Sequence, residues 1–272
     1  MLDVVSPAMQ RAHGRAAVTL GLSRGATRLA RLHQSGSAKA FLPNVHGPMP
    51  EVVFLNTAGG LTGGDRLSYE GDLAPGAKAT LTTQTAERAY RSPAGSAEMT
   101  VRLSAGARAD LHWLPQETIL FDGAALDRRT TVALAGDARL LMVESLVLGR
   151  AAMGETVSAL DFTDRRTITR DGAPLLIEPL RLTADILARR SPATLGPARA
   201  LATVILAAPG AEDALGSVRA ALDEPGTQAA ATAWDGRLVV RALAVDGWPL
   251  RRLVARVLTI LRGGPVPRVW QV

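Results

Sequence analysis

The chain of 272 residues has an ordinary globular composition, with 47% hydrophobic and 21% charged residues, and its net charge is +6 at pH 7. It contains no cysteine, which excludes disulfides, thiolate metal sites and cysteine nucleophiles. The 31 basic residues include two lysines, Lys39 and Lys78, and the arginines are scattered rather than clustered. Since aromatic residues make up only 4%, this pattern is not typical of nucleic-acid binding, although a basic nucleic-acid-binding scaffold stays an alternative.

No segment of the sequence is typical of a secretory signal or a membrane helix. The N-terminal segment lacks the unbroken apolar core of a signal peptide. The longest apolar segments, around 140–148 and 200–208, are shorter than the ~20 residues that a membrane-spanning helix needs. We therefore expect a soluble, cytoplasmic protein without a membrane partner.

Residues 15–182 are predicted to form a series of short strands. The apolar run Val52–Leu55 indicates a strand that is buried on both faces. Apolar and polar residues alternate from Ala97 to Leu103, which predicts a strand with one buried and one solvated face. Arg165–Arg170 and Leu175–Leu182 flank an Asp-Gly dipeptide, which predicts a hairpin.

Three segments in this region resemble one another. They are Leu73–Leu81, Leu103–Leu111 and Leu134–Leu141. Each looks like a strand, a turn and a second strand, and the turn glycines Gly76, Gly106 and Gly136 are evenly spaced. A unit that recurs at a fixed period predicts stacked sheets or a β-helix, whereas the alternative is chance similarity among hairpins.

The C-terminal third, residues 183–272, is predicted to contain strands and two helices. The first helix follows Pro209-Gly210 and ends at Pro225-Gly226. The second carries an apolar stripe from Leu250 to Leu261 and ends at Gly263-Gly264. The predicted fold is mainly β, an elongated, β-helix-like scaffold of stacked sheets with two C-terminal α-helices, in one domain over residues 1–272.

The glycine-rich segment Asn56–Asp65 is the most distinctive local motif. It lacks the Gly-Lys-Ser/Thr of a phosphate loop and does not open a predicted helix, so it indicates a tight turn rather than nucleotide binding. Asp65 either caps this turn or points into a site, and its spacing favours the cap.

Motifs of catalysis and metal binding are missing from the sequence. The four histidines have no spacing typical of a metal site, and no His-Glu-x-x-His occurs. Ser145 lacks the flanking glycines of a serine hydrolase. Paired carboxylates of a glycosidase depend on the fold, so a β-solenoid carbohydrate-active enzyme stays an alternative, although aromatic platforms for sugars are scarce. We expect no enzymatic activity and no tightly bound cofactor.

Several stretches occur in a characteristic order and spacing from about residue 15 to 270. They are Phe54–Asp65, Leu81–Ser92, Trp113–Ala124, Leu148–Glu155, Val239–Leu243 and, after the last helix, Pro267–Trp270. Taken together, they resemble the UreD family of urease accessory proteins, which is also called UreH. No single stretch carries the resemblance; it depends on all of them being in register.

The resemblance implies a function that residue spacing alone does not. Proteins of this family bind the accessory protein UreF, which recruits the GTPase UreG, and the assembly docks on apo-urease and delivers nickel to its active site. The family fold is a β-helix-like stack with two helices and an internal, water-filled passage for the metal. We therefore expect a urease maturation chaperone whose partners are UreF, UreG and apo-urease, with Ni²⁺ in transit.

The scarcity of histidine and cysteine predicts how such a passage would treat nickel. Some family members carry Cys-His before the glycine-rich turn, where this chain has Met49–Phe54, with His46 upstream and no cysteine. Imidazole and thiolate hold Ni²⁺ tightly, whereas carboxylates, carbonyls and water exchange it faster, which suits a conduit. Acidic residues at matching positions are the candidates for lining the passage: Asp65, Glu117, Asp122, Glu144, Glu155 and Glu178. Tyr90 and Arg150 are expected to shape its wall, and the alternative for each acid is a surface ion pair with an arginine.

The last helix is also a candidate partner surface. We expect its apolar stripe to fill the core. Its flanking arginines, Arg251, Arg252 and Arg256, are then candidates for binding a partner, since arginine is enriched at interfaces.

Overall fold

The computed structural model describes residues 10–44, 49–189, 191 and 193–271, so His46 lies outside the described part. The strands are β1 His13–Ser23, β2 Ala26–Gly36, β3 Ala38–Phe41, β4 Glu51–Asn56, β5 Arg66–Leu73, β6 Lys78–Thr83, β7 Glu87–Ala89, β8 Ala97–Ala105, β9 Asp110–Leu114, β10 Thr118–Leu120, β11 Ala124–Leu134, β12 Arg139–Leu148, β13 Leu160–Arg170, β14 Ala173–Thr183, β15 Ala200–Ala207, β16 Thr227–Trp234 and β17 Arg237–Ala244. The α-helices are α1 Ala184–Ala188, α2 Leu215–Ala220 and α3 Gly247–Arg262, and 3₁₀ turns span Ala151–Met153, Ala211–Ala214 and Arg268–Trp270. The prediction of a mainly β chain is confirmed.

The strands form two sheets that face each other. The first has the order β14-β13-β11-β8-β5-β1-β2. The second has the order β16-β17-β15-β12-β9-β6-β4-β3, and the short strands β7 and β10 join it beside β12. Within the first sheet, β1, β5, β8, β11 and β13 pair in parallel, and in the second sheet β4, β6, β9 and β12 do the same.

The three similar segments of the sequence are three successive coils of a solenoid. In each coil, a strand of the first sheet turns into a strand of the second: β5 into β6, β8 into β9, and β11 into β12. Gly76 and Gly136 have φ of +74° and +54°, a region that favours glycine, and they let the chain reverse between the sheets. The β-helix interpretation of the repeat is therefore confirmed over the chance alternative.

Alternating apolar side chains from both sheets fill the space between them. On β8, for example, Ala97, Met99, Val101 and Leu103 are buried, while the residues between them face outward. Across the gap, Phe54 of β4 stacks on Tyr69 of β5, with ring centroids 4.7 Å apart. This period of two follows from the pleat of a strand, because successive side chains point to opposite faces.

A second apolar cluster lies on the outer face of the second sheet, where α3 covers it. The predicted stripe of this helix is buried in full: Leu250, Leu253, Val254, Val257, Leu258 and Leu261. Asp246 caps the N-terminus by accepting a hydrogen bond from the amide of Gly247 at 2.7 Å, and Gly263 ends the helix with φ +65°. The expectation that the stripe fills the core is confirmed.

The predicted hairpins and helices are present, with one addition. β13–β14 and β16–β17 are antiparallel hairpins that turn at Asp171-Gly172 and Asp235-Gly236. The helix predicted after Pro209-Gly210 is a 3₁₀ turn that continues into α2. The short helix α1 follows β14 directly and was not predicted, because its five residues are too few to show a helical period.

A buried histidine ties the end of α3 to the second sheet. His112 of β9 is 2% exposed, and its Nδ1 lies 2.8 Å from the Arg262 guanidinium, while its Nε2 lies 3.2 Å from Asp110. Nδ1 can accept from Arg262, whereas Nε2 lies near both the acceptor Asp110 and, at 2.7 Å, the donor Arg139 Nη1, so Nε2 can hydrogen-bond only one of these two. Burial lowers the pKa of His112, Asp110 opposes this, and the neighbouring guanidinium groups lower it further, so the imidazole is held neutral.

Leu253→Ala is expected to lower the free energy of unfolding by ~2–5 kcal/mol, because it leaves a cavity between α3 and the second sheet. Urea unfolding followed by circular dichroism measures the change. The control is Trp248→Ala on the same helix, where the side chain is 56% exposed and the expected loss is small. Equal losses for the two variants would contradict the assignment of this stripe to the core.

Candidate functional site

A chain of charged side chains, four of them buried and one partly buried, crosses the space between the two sheets. It consists of Arg128, Glu144, Asp164, Arg166 and Glu178, and we call it the ionic chain. Arg128 donates from Nε and Nη2 to the two oxygens of Asp164 at 3.1 and 2.7 Å, and its Nη1 lies 2.7 Å from Glu144. Arg166 lies 3.2 Å from both Asp164 and Glu178. Arginines and carboxylates therefore alternate along the whole ionic chain.

The alternation of the strands explains why these charges point inward. On β11, Arg128 lies between the buried residues Leu126 and Thr130, and on β13, Asp164 and Arg166 continue the buried series that begins at Phe162. The parallel register places Arg128 directly beside Asp164. The antiparallel register of the next pair places Arg166 directly beside Glu178. Arg128–Asp164 and Arg166–Glu178 are thus cross-strand pairs, whereas Arg166 and Asp164 are neighbours on the same face of β13.

The ionic chain lies between a small, partly enclosed cavity and an open groove. The cavity, of about 40 Å³, is large enough for a few water molecules, and Glu87, Tyr69, Trp113, Arg128 and Glu144 are among the residues that line it. The groove, of about 470 Å³, lies between β14 and the strands β15, β16 and β17. It is lined by Arg166, Glu178, Thr203, Arg241 and several apolar residues. Arg128 and Glu144 thus border the cavity, while Arg166 and Glu178 border the groove.

Burial and ion pairing set the protonation of the carboxyl groups in opposite directions. Burial raises the pKa of Glu144, which Arg128 and the Trp113 indole N–H at 3.0 Å partly oppose. Burial also disfavours ionised Asp164, but the paired guanidinium of Arg128 outweighs this and holds the pKa of Asp164 below its usual range. Glu87 has no such guanidinium pair among the described residues, and burial raises its pKa to about 7.

The charges of the ionic chain nearly cancel. Two guanidinium groups of the ionic chain face the carboxylates of Glu144, Asp164 and Glu178, and Arg241 adds a third guanidinium at Glu178, so the charges balance when all are ionised. Arg166 Nη1 and Glu178 Oε2 are buried and 3.2 Å apart, yet neither has a hydrogen-bond partner of good geometry among the described residues. Such polar atoms are normally satisfied by water or by a bound ion. On the groove side, the Arg241 guanidinium lies 2.9 Å from the other carboxylate oxygen of Glu178.

Of the six acids expected to line a passage, Glu144 and Glu178 belong to the ionic chain, and the other four do not. Asp65 accepts hydrogen bonds from the backbone amides of Ala12 and Thr62, both at 2.8 Å, so it caps the glycine-rich turn, as its spacing favoured. Glu117 pairs with Arg251 of α3 at 3.1 Å. Neither carboxylate lines the cavity or the groove.

Asp122 and Glu155 lie together at a third site, with Tyr90 and Arg150. Asp122 accepts from the amides of residues 158 and 159, and its own amide donates to Glu155 at 3.1 Å. Arg150 donates to Glu155 at 2.8 Å and lies over the Phe121 ring, against which Tyr90 packs edge-on. Backbone hydrogen bonds lower the pKa of Asp122, and the Arg150 hydrogen bond lowers that of Glu155. These four residues organise the loop around residues 149–159.

The three arginines of α3 all make contacts within the chain. Arg251 donates to Gln116 and to the carbonyl of Trp270, lies over the Trp270 ring, and is only 16% exposed. Arg252 and Arg256 are half-exposed and bind the two oxygens of the buried Glu224, each at 2.6 Å. Of the three, Arg252 and Arg256 therefore present the larger accessible surface.

Sequence reasoning missed Arg128, Asp164, Arg166 and Glu87. A signal for the first three was available, because each occupies an inward position of an alternating strand where an apolar residue is the rule. A charged residue at an inward-facing position of a strand is rare unless it is paired with an opposite charge. The sequence contains no such signal for Glu87, because β7 has only three residues and shows no alternating pattern.

Two further observations restrict the chemistry of the site. Within the described ranges, no group of three or more histidine, aspartate and glutamate side chains is placed to hold a metal ion. In the same part of the chain, none of the helices is long and apolar enough to cross a membrane.

Comparison with known proteins identifies relatives of the whole chain. The family model described as UreD urease accessory protein matches residues 12–271. The urease accessory protein UreD of Cereibacter sphaeroides is 62% identical over 272 residues, which cover 100% of this chain and 99% of the relative. The proteins of the same name from Paracoccus denitrificans and Rhizobium leguminosarum bv. viciae are 53% and 47% identical, over 100% and 96% of this chain and 97% and 96% of theirs.

Glu87→Gln is expected to stabilise the protein above pH 7, by on the order of 3 kcal/mol, and to have little effect below pH ~4.5. The pKa of Glu87 is about 7 in the folded protein against an ordinary 4.5, so its ionisation removes stability as the pH rises through this window. Urea unfolding across this pH range measures the difference. The control is Glu98→Gln, where the carboxylate is 61% exposed. If the free energies of unfolding of Glu87→Gln and the wild type differ by the same amount at every pH, the raised pKa of Glu87 is wrong.

Proposed function

Because the chain belongs to the UreD family of urease accessory proteins, we propose that it is a urease maturation chaperone that conducts nickel into apo-urease. In this proposal it acts in the cytoplasm with UreF and the GTPase UreG, and the assembly docks on apo-urease. Nickel is the cargo rather than a resident cofactor, and the protein has no catalytic reaction of its own. Membership of an accessory-protein family carries the proposal.

The interior between the sheets is the proposed route of the metal. The ionic chain extends from the cavity with Glu87 and Glu144 to the groove with Glu178, so carboxylates continue from one to the other. Oxygen ligands with partial hydration bind Ni²⁺ less tightly than imidazole or thiolate, and they release it more readily. We therefore assign the transit role to Glu144 and Glu178 ahead of Asp65, Glu117, Asp122 and Glu155, which bind backbone amides or arginines elsewhere.

The two alternative functions have less support. A nucleic-acid scaffold needs free cations along one face, whereas many arginines here are paired with carboxylates, among them Arg15, Arg139 and Arg165. A carbohydrate-active enzyme needs aromatic platforms in a cleft, and the lining of the open groove contains no aromatic residue.

Glu144→Gln and Glu178→Gln are expected to lower urease activation by about tenfold, the factor that corresponds to ~1.4 kcal/mol of lost cation stabilisation. Glutamine keeps the shape of each side chain and removes its charge. The measurement is urease activity after co-expression with the urease subunits, UreF and UreG, with co-purification of the complex as a test of assembly.

The matched control is Glu98→Gln, which removes an exposed carboxylate from β8. Thermal unfolding of each variant separates loss of folding from loss of transit. If the double variant Glu144→Gln/Glu178→Gln assembles normally and activates urease fully, the proposed route is wrong.

Arg252→Ala and Arg256→Ala are expected to weaken co-purification with UreF if this face of α3 binds a partner. Each variant leaves the other arginine paired with the buried Glu224, so the helix should stay in place. The control is Arg181→Ala, which removes a more exposed arginine from β14, paired with Asp161. If both variants recover as much UreF as the wild type, this face of α3 does not bind UreF.

A further inference from the structure

Arg128 occupies the midpoint of the interior and binds both sheets. It is 2% exposed, and its guanidinium contacts two carboxylates and one hydroxyl. Asp164 is held from the same sheet, Glu144 from the opposite sheet at 2.7 Å, and the Thr118 hydroxyl accepts from Nη1 at 3.1 Å. The side chain also lies over the Phe162 ring, 5.6 Å from its centre. No other arginine in the described part of the chain is this deeply buried.

This position separates the cavity from the groove. Arg128 and Glu144 line the cavity, whereas Arg166 and Glu178 line the groove, and Asp164 bridges the two arginines. A cation that moves from the cavity to the groove along the carboxylates meets Glu144 and Asp164 first. Both of these groups are already occupied by the guanidinium of Arg128.

We infer that Arg128 is a cationic gate of the interior, a residue that keeps Glu144 and Asp164 from retaining a divalent cation. This inference rests on the proposed transit of nickel and adds how the metal is released. The guanidinium and the metal ion compete for the same two carboxylates. Transit requires the guanidinium to withdraw from them, and its return displaces the ion.

The charges of the site are compatible with such an exchange. With Arg128 in place, the carboxylates of Glu144, Asp164 and Glu178 face three guanidinium groups, those of Arg128, Arg166 and Arg241, so their charges balance. Replacing the single positive charge of Arg128 at Glu144 and Asp164 by the double charge of Ni²⁺ leaves an excess of positive charge. Uncompensated charge is costly for buried groups, so this excess favours return of the guanidinium and release of the ion.

The gate also explains how buried carboxylates could pass a metal without storing it. Two carboxylates of one site, free of other partners, would hold a divalent cation by charge alone in a low-dielectric interior. Arginine is suited to oppose this, because it stays charged when buried and binds carboxylates through a rigid fork. A lysine could not span both groups in the same way.

The test is Ni²⁺ binding by the purified full chain carrying Arg128→Gln, measured by isothermal titration. The variant is expected to bind one Ni²⁺ about tenfold more tightly than the wild type, because the competing cation is gone. Adding Glu144→Gln and Asp164→Asn should abolish the gain. The matched control is Arg165→Gln on the same strand as Asp164, which breaks an exposed pair with Asp127 and should bind no more tightly than the wild type.

If folded Arg128→Gln binds Ni²⁺ no more tightly than the wild type, the gate is wrong. If this variant does not fold, Arg128→Lys decides, because it keeps the charge but loses the double hydrogen bond to Asp164. It should show a smaller gain, and no gain would overturn the inference. The proposed transit fails separately, when Glu144→Gln and Glu178→Gln leave urease activation intact. Tighter binding by Arg128→Gln together with poorer activation is the result expected if both proposals hold.

Discussion

The ion pairs of Arg128 with Asp164 and Glu144 are the constraint on which the interior of this protein depends. A buried guanidinium is tolerated only when carboxylates compensate its charge and accept its hydrogen bonds. Here the compensation comes from both sheets at once, so the distance between the sheets is fixed at this point. Loss of one member would leave a buried charge without its partner, which typically costs about 3–5 kcal/mol. The apolar core on either side is thus built around a polar centre that it must hold in register.

The solenoid provides that register. Arg128 and Glu144 belong to the same coil, because β11 turns into β12 through the turn at Gly136. Asp164 belongs to the next strand of the stack and lies directly beside Arg128. A slip of one residue in this parallel pair would turn every side chain of β13 to the opposite face and point Asp164 outward. The number of residues in each turn therefore decides whether Arg128 and Asp164 meet. The regular repeat of the coils thus positions the ionic chain as well as the strands.

Much of the fold could be predicted from the sequence, because the signals for it are local. The period of two predicted the strands, the recurring glycine turns predicted the coils, and the stripe from Leu250 to Leu261 predicted α3. The site could be predicted only in part. Glu144 and Glu178 were recognised as candidates, but Asp164 was not, because its partner lies 36 residues away and is fixed by register rather than by spacing. Asp65 looked similar to Glu144 as an isolated acid, yet it serves backbone amides, since turns present unpaired N–H groups that a carboxylate readily satisfies.

The lack of cysteine and the abundance of arginine in this sequence are consistent with the paired charges of the interior. A sequence without cysteine and with few histidines offers Ni²⁺ few strong ligands, and the carboxylates of the ionic chain are paired with arginines. In the proposed transit, such an interior compensates the cation at each step while its own guanidinium groups compete for the same oxygens. Retention and transit make opposite demands on the same oxygen atoms, and the ratio of arginines to carboxylates decides between them. With Arg241 counted, three arginines face three carboxylates, so a guanidinium group competes at each carboxylate that the proposed cation would use.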